Sequence, residues 1–142
     1  MKILVDTSVW SLALRANPKR LTPEQNLLKE EITELILEGR VEIIGPIRQE
    51  LLSGIRDHAE FQRLREELRL FDDAVPTRED HEEAARMFNQ CRAAGITGSP
   101  VDLLICAIAV RREWQVFTLD KDFHRYSRHI PLVLFAPRTS PP

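Results

Sequence analysis

Short apolar segments alternate along this chain with longer segments whose apolar residues recur at helical spacing. The strand-like segments are "KILV" at 2–5, "VEIIG" at 41–45, "QVFTLD" at 115–120 and "PLVLF" at 131–135. Continuous apolar runs of this length are typical of strands covered on both faces, and their alternation with helices favours a mainly parallel sheet. The sequence therefore predicts an α/β sandwich, in which the stretch "FDDAVP" at 71–76 is at most an edge strand.

Three predicted helices begin with the side-chain pattern of a capping box or a closely similar start. The pairs are Thr22 with Gln25, Thr77 with Asp80, and Ser99 with Asp102. The third helix, "PVDLLICAIAVRREW", is apolar on almost every side in its middle. Such a helix is expected to lie buried between layers of the fold.

Length and composition are those of one globular domain. The chain has 142 residues, of which 43% are hydrophobic, and we expect one domain over 1–136 followed by a Pro-rich tail over 137–142. No apolar run approaches the roughly 20 residues of a membrane span, and the start does not resemble a signal peptide. We therefore expect a cytoplasmic protein that does not bind membranes, with Cys91 and Cys106 as reduced core residues.

Five acidic residues follow or flank the predicted strands. Asp6 ends the first strand, and Asp120 and Asp122 follow the strand "QVFTL". Asp102 lies in the first turn of the buried helix, and Glu50 lies on the short helix after the second strand. Because sites in open α/β folds form beyond the carboxyl ends of the strands, these acids are expected to converge.

Convergence of these carboxylates requires a compensating positive charge. Two carboxylates about 4 Å apart repel by roughly 4 kcal/mol at an effective dielectric constant of 20. Oxygen ligands suit Mg²⁺ or Mn²⁺, and the sequence has no closely spaced pair of Cys residues that would suggest a zinc site instead. A divalent cation held by carboxylates is suited to phosphodiester cleavage.

Each acid also has a purely structural interpretation. Asp102 pairs with Ser99 at the helix start, Glu50 fits a solvated helix face, and Asp120 and Asp122 fit a turn. Asp6 could cap the N-terminus of the next helix, although Thr7 or Ser8 could provide this N-cap instead. The net charge of −2 argues against nucleic-acid binding by bulk charge, but it allows a local basic patch or binding through metal ions.

The chain resembles a PIN domain, and specifically a VapC-type ribonuclease toxin of a type II toxin–antitoxin system. The matching segments are "ILVDTSVW", "GPIRQELLSGI", "SPVDLLICAIAV" and "VFTLDKDF", which cover nearly the whole chain in the family's order. The resemblance implies a three-layer α/β/α sandwich and a Mg²⁺- or Mn²⁺-dependent endoribonuclease that cleaves single-stranded or structured RNA. It also implies a homodimer that a cognate antitoxin inhibits, with DNA bound only through the antitoxin.

The resemblance assigns roles to residues of this sequence. The catalytic acids would be Asp6, Glu50, Asp102 and Asp120, and the metal ligands Asp6, Asp102, Asp120 and Asp122. Thr7, Ser8 and Thr118 would orient carboxylates or water. Glu50 either binds the metal or orients the attacking water.

Basic side chains must hold the RNA backbone beside these acids. The candidates are Arg15, Lys19, Arg20, Arg111, Arg112, Lys121, His124, Arg125 and Arg128, and Arg15, Lys121 and Arg125 are preferred. The aromatic residues Trp10, Trp114 and Phe123 are expected to pack in the core rather than to stack on bases.

Two other classes of function remain open at this point. A phospho-acceptor receiver domain also has acids at strand ends, but it requires an acidic pair after its first strand, where this chain has Asp6 followed by Thr7. A non-catalytic PIN-fold module that binds RNA or a protein is the main alternative to the nuclease.

Overall fold

A three-stranded parallel sheet forms the centre of the molecule. The computed structural model describes residues 1–15 and 17–138. The strands are β1 (Ile3–Val5), β2 (Val41–Glu42) and β3 (Gln115–Phe117), in the order β2–β1–β3. The helices are α1 (Thr7–Leu14), α2 (Pro23–Leu37), α3 (Gly45–Leu52), α4 (His58–Leu68), α5 (Arg78–Ala93), α6 (Pro100–Arg112) and α7 (Asp122–Tyr126), with a 3₁₀ turn at Pro18–Arg20. These elements form the predicted α/β/α sandwich.

The central strand β1 sets the position of the sheet edge at which the acids meet. Its three residues Ile3, Leu4 and Val5 are fully buried, as the continuous apolar run predicts. Leu4 pairs with Val116 of β3, and both strands run in the same direction. The carboxyl ends of β1 and β3 therefore lie side by side.

The two outermost predicted strands are reduced to single bridges. The segment "PLVLF" is not a strand, and it pairs with β3 only where Leu134 bridges Val116. Pro131 at its start and Pro137 shortly after its end have no backbone N–H to donate, which limits how far this pairing can extend. On the other edge, Asp73 forms one parallel bridge with Ile43.

Helix α6 lies in the core, as its apolar sequence predicts. Seven consecutive residues, from Leu103 to Ala109, are buried. Ser99 caps the helix, since its hydroxyl accepts a hydrogen bond of 3.0 Å from the backbone N–H of Asp102. The capping boxes predicted at the starts of α2 and α5 are both formed. A buried helix with a fixed start holds Asp102 at a defined place.

The other core predictions are confirmed for most of the residues concerned. Trp10 and Phe123 are fully buried, while Trp114 is only partly buried. Cys91 and Cys106 are buried free thiols. Within residues 1–15 and 17–138, no helix combines the length and hydrophobicity needed to cross a membrane.

The start of the predicted C-terminal tail contacts the domain. Arg138 forms ion pairs of 2.7 Å with Glu31 and with Glu38. Glu31 is 1% exposed, so this contact supplies a charged partner for a buried carboxylate. The rest of the predicted tail, 139–142, lies outside the described residues.

Candidate active site

Asp6 lies at the junction of β1 and α1, with its side chain turned into the molecule. Its backbone N–H donates to the carbonyl of Phe117 at 2.9 Å, which joins the end of β1 to the end of β3. The side chain is 7% exposed and does not cap α1. Its Oδ2 accepts hydrogen bonds from Ser8 Oγ at 2.9 Å and Thr118 Oγ1 at 2.8 Å. The hydroxyls of Ser8 and Thr118 therefore orient this carboxylate.

The same two hydroxyls hold the turn that follows β3. Thr118 Oγ1 accepts from the backbone N–H of Asp120 at 3.0 Å, and Ser8 Oγ accepts from the N–H of Leu119 at 2.9 Å. The N–H of Asp122 in turn donates to Asp120 Oδ1 at 2.9 Å. Asp120 and Asp122 are thus turn residues, and the hydroxyls fix that turn against Asp6.

Asp102 approaches the same place from α6. Its side chain is partly buried, and its Oδ2 accepts a hydrogen bond of 2.8 Å from the hydroxyl of Tyr126. Burial raises the pKa of Asp102, and the nearby charges of Asp6 and Asp120 raise it further, against the lowering effect of the hydrogen bonds from Tyr126 and Ser99. Mutual repulsion of the acids is therefore a property of this site.

Three carboxylates meet closely enough to share a cation. One oxygen from each of Asp102, Asp120 and Asp122 lies within 4.8 Å of the other two. Asp6 is not part of this triple, but its charge acts on Asp102 from beside it. A donor set made only of carboxylate oxygens fits a hard divalent cation such as Mg²⁺ or Mn²⁺. The term acidic cluster is used below for Asp102, Asp120 and Asp122.

Glu50 lies across a surface groove from the acidic cluster. It is exposed on α3, and Thr7 Oγ1 donates a hydrogen bond of 3.1 Å to its Oε2. The groove is lined by Pro46, Gln49 and Glu50 from α3, and by Ser99, Val101 and Asp102 at the start of α6. Glu50 and Asp102 therefore line the same groove. In the structure the hydroxyl of Thr7 is therefore a hydrogen-bond partner of the Glu50 carboxylate.

The preferred basic residues fall in two places. Lys121 and Arg125 are exposed on the turn and on α7, next to the acidic cluster in the chain. Arg15 follows the far end of α1, about 13 Å along the helix axis from Asp6 at roughly 1.5 Å per residue. Arg15 lines a different groove, with Lys29 of α2 and Arg63 of α4. The structure does not bring Arg15 to the acids.

Two other predicted RNA contacts are engaged elsewhere. Arg111 and Arg112 form ion pairs with Asp80, at 3.0 Å and 2.9 Å. This buried carboxylate lies at the start of α5, and both arginines lie at the end of α6 opposite Asp102. Their position indicates a structural role.

Tyr126 was missed by sequence reasoning, although its hydroxyl is the side-chain partner of Asp102. Its only local signal is that it follows Asp122 by four residues, which places both on one helix face. Burial raises the pKa of Tyr126, and the hydrogen bond to Asp102 raises it further, so the phenol keeps its proton and donates.

Comparisons with known proteins gave one family match and several structural matches. The sequence profile of the PIN domain matches residues 3–129. The crystal structure of FitAcB from Neisseria gonorrhoeae contains a chain that is 23% identical, with a TM-score of 0.74 over 95% of this chain and 97% of that one. No curated protein sequence gave a significant match.

Two further structures have the same fold. VapBC2 from Rickettsia felis, bound to a DNA fragment from its promoter, includes a chain that is 16% identical, with a TM-score of 0.74 over 95% of this chain and 98% of that one. VapBC-1 from nontypeable Haemophilus influenzae includes a chain that is 16% identical, with a TM-score of 0.71 over 95% and 97%. At these identities the likeness concerns the fold.

Proposed function

This chain belongs to the PIN domain family, and we propose that it is a metal-dependent endoribonuclease that cleaves the phosphodiester bonds of single-stranded or structured RNA. The observation that carries the proposal is the acidic cluster, whose three carboxylates come from two separate elements and lie within 4.8 Å of one another. Folding brings these like charges together at a cost in free energy, and a bound cation would offset their repulsion.

Asp102, Asp120 and Asp122 are the residues that would hold Mg²⁺ or Mn²⁺, with Asp6 beside them. The bound cation would activate water and stabilise negative charge on the phosphate oxygens. Asp6 is preorganised for this site by the hydroxyls of Ser8 and Thr118, since both bonds fix one oxygen, Oδ2.

Glu50 is the residue placed to act on the attacking water. It lies on the groove wall opposite Asp102, and the bond from Thr7 holds one of its oxygens. The other oxygen is then available to accept a proton of a water molecule and to orient that water toward the phosphorus.

RNA would enter along this groove, with its backbone held by exposed cations. Lys121 and Arg125 flank the acidic cluster in the chain and would neutralise phosphates next to the scissile bond. The overall charge of −2 makes such local contacts more important than long-range attraction.

The structural relatives favour a toxin that is held by an antitoxin. Structures with this fold include a toxin–antitoxin complex from Klebsiella pneumoniae and VapBC-5 of Mycobacterium tuberculosis, a member of the VapBC family of toxin–antitoxin systems, and VapBC2 from Rickettsia felis is bound to a promoter DNA fragment. For this chain we propose a cognate antitoxin that inhibits it, a homodimeric state, DNA binding only through the antitoxin, and a location in the cytoplasm.

The nuclease is tested by incubating the purified chain with total RNA and Mn²⁺ or Mg²⁺, and by mapping the cleavage sites. We expect cleavage to disappear in EDTA, to return when the metal is restored, and to fall by roughly 100-fold or more in Asp102→Asn. Glu34→Gln, which removes an exposed charge on α2, is the matched control and should cleave normally.

Cleavage that persists in EDTA would overturn the metal-dependent mechanism. RNA binding without cleavage at any metal concentration would instead support the non-catalytic module.

A further inference from the structure

Tyr126 is a buried polar side chain whose hydroxyl has one protein partner in the described part of the chain. It is 1% exposed, and its hydroxyl lies 2.8 Å from Asp102 Oδ2. Its ring packs edge-to-face on Phe123 with a centroid distance of 5.4 Å, which is within the range of roughly 4.5–7 Å that such pairs prefer. A ring held in this way directs its hydroxyl rigidly.

Gly98 provides the space that the ring of Tyr126 needs. A Cβ atom at Gly98 would lie 3.1 Å from Cε1 and 3.2 Å from Cζ of that ring, and 2.3 Å from Leu103 Cδ2. Gly98 does not have a positive φ, so its lack of a side chain serves packing rather than backbone conformation. The loop before α6 is therefore shaped to admit Tyr126.

The hydrogen bond from Tyr126 joins the two elements that supply the acidic cluster. Asp102 lies in the first turn of α6, whereas Asp120 and Asp122 precede or begin α7, which also carries Tyr126. Holding Oδ2 of Asp102 fixes the plane of that carboxylate, and hence the direction of its other oxygen. One bond thus restrains both the orientation of Asp102 and the distance between the elements.

We propose that Tyr126 is a positioning residue, which holds Asp102 in the orientation in which the acidic cluster binds a divalent cation. The inference rests on the proposed function only in that the cluster binds such an ion. Hydrogen-bond partners of metal ligands typically contribute roughly 10–100-fold to metal affinity or activity. We therefore expect the hydrogen bond from Tyr126 to increase the affinity of the acidic cluster for the cation, whether or not RNA is present.

The test is calorimetric titration of the intact chain with Mn²⁺ alone, comparing the wild type with Tyr126→Phe. This variant removes the hydroxyl and keeps the ring, so we expect Kd for Mn²⁺ to rise by about tenfold. The melting temperature without metal should change by less than about 4 °C, the effect of roughly 1 kcal/mol in a chain of this size. In RNA cleavage, the Mn²⁺ concentration for half-maximal rate should rise by the same factor while the rate at saturating Mn²⁺ recovers.

Two further variants make the result specific. Ser127→Ala removes a neighbouring hydroxyl that, among the described residues, bonds only the carbonyl of His124, and it should bind Mn²⁺ like the wild type. Gly98→Ala should weaken Mn²⁺ binding, because its Cβ would overlap Leu103 Cδ2 and crowd the ring of Tyr126, so that the ring must shift by a few tenths of an ångström.

The outcomes separate this inference from the proposed function. If the wild type binds Mn²⁺ and Tyr126→Phe binds it equally well, Tyr126 is a packing residue and the inference is wrong. If the wild type binds no Mn²⁺ at all, the metal-dependent mechanism itself fails.

Discussion

The carboxylate of Asp102 experiences two opposing influences in the folded protein. Burial and the charges of Asp6 and Asp120 raise its pKa, whereas hydrogen bonds from Tyr126 and Ser99 lower it, and the net shift is upward. Because the folded state then binds a proton more tightly than the unfolded chain, this group favours folding less as pH rises above the ordinary pKa of an aspartate. At neutral pH the charged Asp102 of the metal-free site therefore lowers the free energy of unfolding.

Neutralising this side chain is expected to stabilise the metal-free protein. Asp102→Asn keeps an oxygen that accepts from Tyr126 and removes one of the repelling charges. We expect its melting temperature in EDTA at about pH 7 to rise by roughly 2–4 °C, as a gain of about 1 kcal/mol would produce. The difference should shrink near pH 4, about the ordinary pKa of an aspartate, where the wild-type carboxyl gains its proton. A variant less stable than the wild type at neutral pH would show that burial and repulsion together do not outweigh the hydrogen bonds of the charged carboxylate.

The pairing of α5 with α6 depends on a charged cluster distant from the acids. Asp80 is 1% exposed at the start of α5, and Arg111 and Arg112 reach it from the end of α6. Burial raises the pKa of Asp80, but hydrogen bonds from Thr77 and Arg112 outweigh burial and hold that pKa below its ordinary value. The stability from this carboxylate is thus present above the unfolded pKa and is lost as pH falls through the lower folded pKa.

Asp80→Asn should weaken this junction considerably. The change removes a charge from between two arginines and disturbs the capping box with Thr77, so we expect a loss of about 2–3 kcal/mol in the free energy of unfolding. Urea denaturation measures the loss, and Glu79→Gln, an exposed neighbour on the same turn, should change stability by less than about 0.5 kcal/mol. Equal stability of the two variants would contradict the role given to Asp80.

Features encoded by neighbouring residues were predictable at the level of elements. The capping boxes of Thr22 and Thr77 and the buried run of α6 follow from local spacing, and all are formed. The prediction of a strand at 131–135 was wrong. It relied on the apolar composition of this segment and gave too little weight to Pro131, which has no backbone N–H to donate to a neighbouring strand.

Contacts between distant residues were only partly predictable. The convergence of Asp6 and Asp120 follows from the rule that parallel strands end at one edge of the sheet. The bond between Tyr126 and Asp102, and the ion pairs of Asp80, depend on how helices pack, which no local pattern encodes. Arg15, predicted to contact RNA, follows the far end of helix α1 and so lies away from the acids, a position that depends on the length of that helix.

The molecule as a whole places its acids on a rigid base. β1 is buried between its two partners and leads into Asp6, and α6 is buried within the core and carries Asp102 in its first turn. Membership of the PIN domain family sets the receiver-domain alternative aside. The proposed nuclease then depends on one property of the molecule, the binding of a divalent cation by the acidic cluster.

Anomalous diffraction from a crystal of the intact chain soaked in Mn²⁺ tests that claim most directly. We expect a manganese peak in contact with carboxylate oxygens of Asp102, Asp120 and Asp122, with Asp6 beside it, and no such peak in Asp102→Asn. A wild-type crystal at saturating Mn²⁺ with no peak at the acidic cluster, or with a peak only at other residues, would contradict the account.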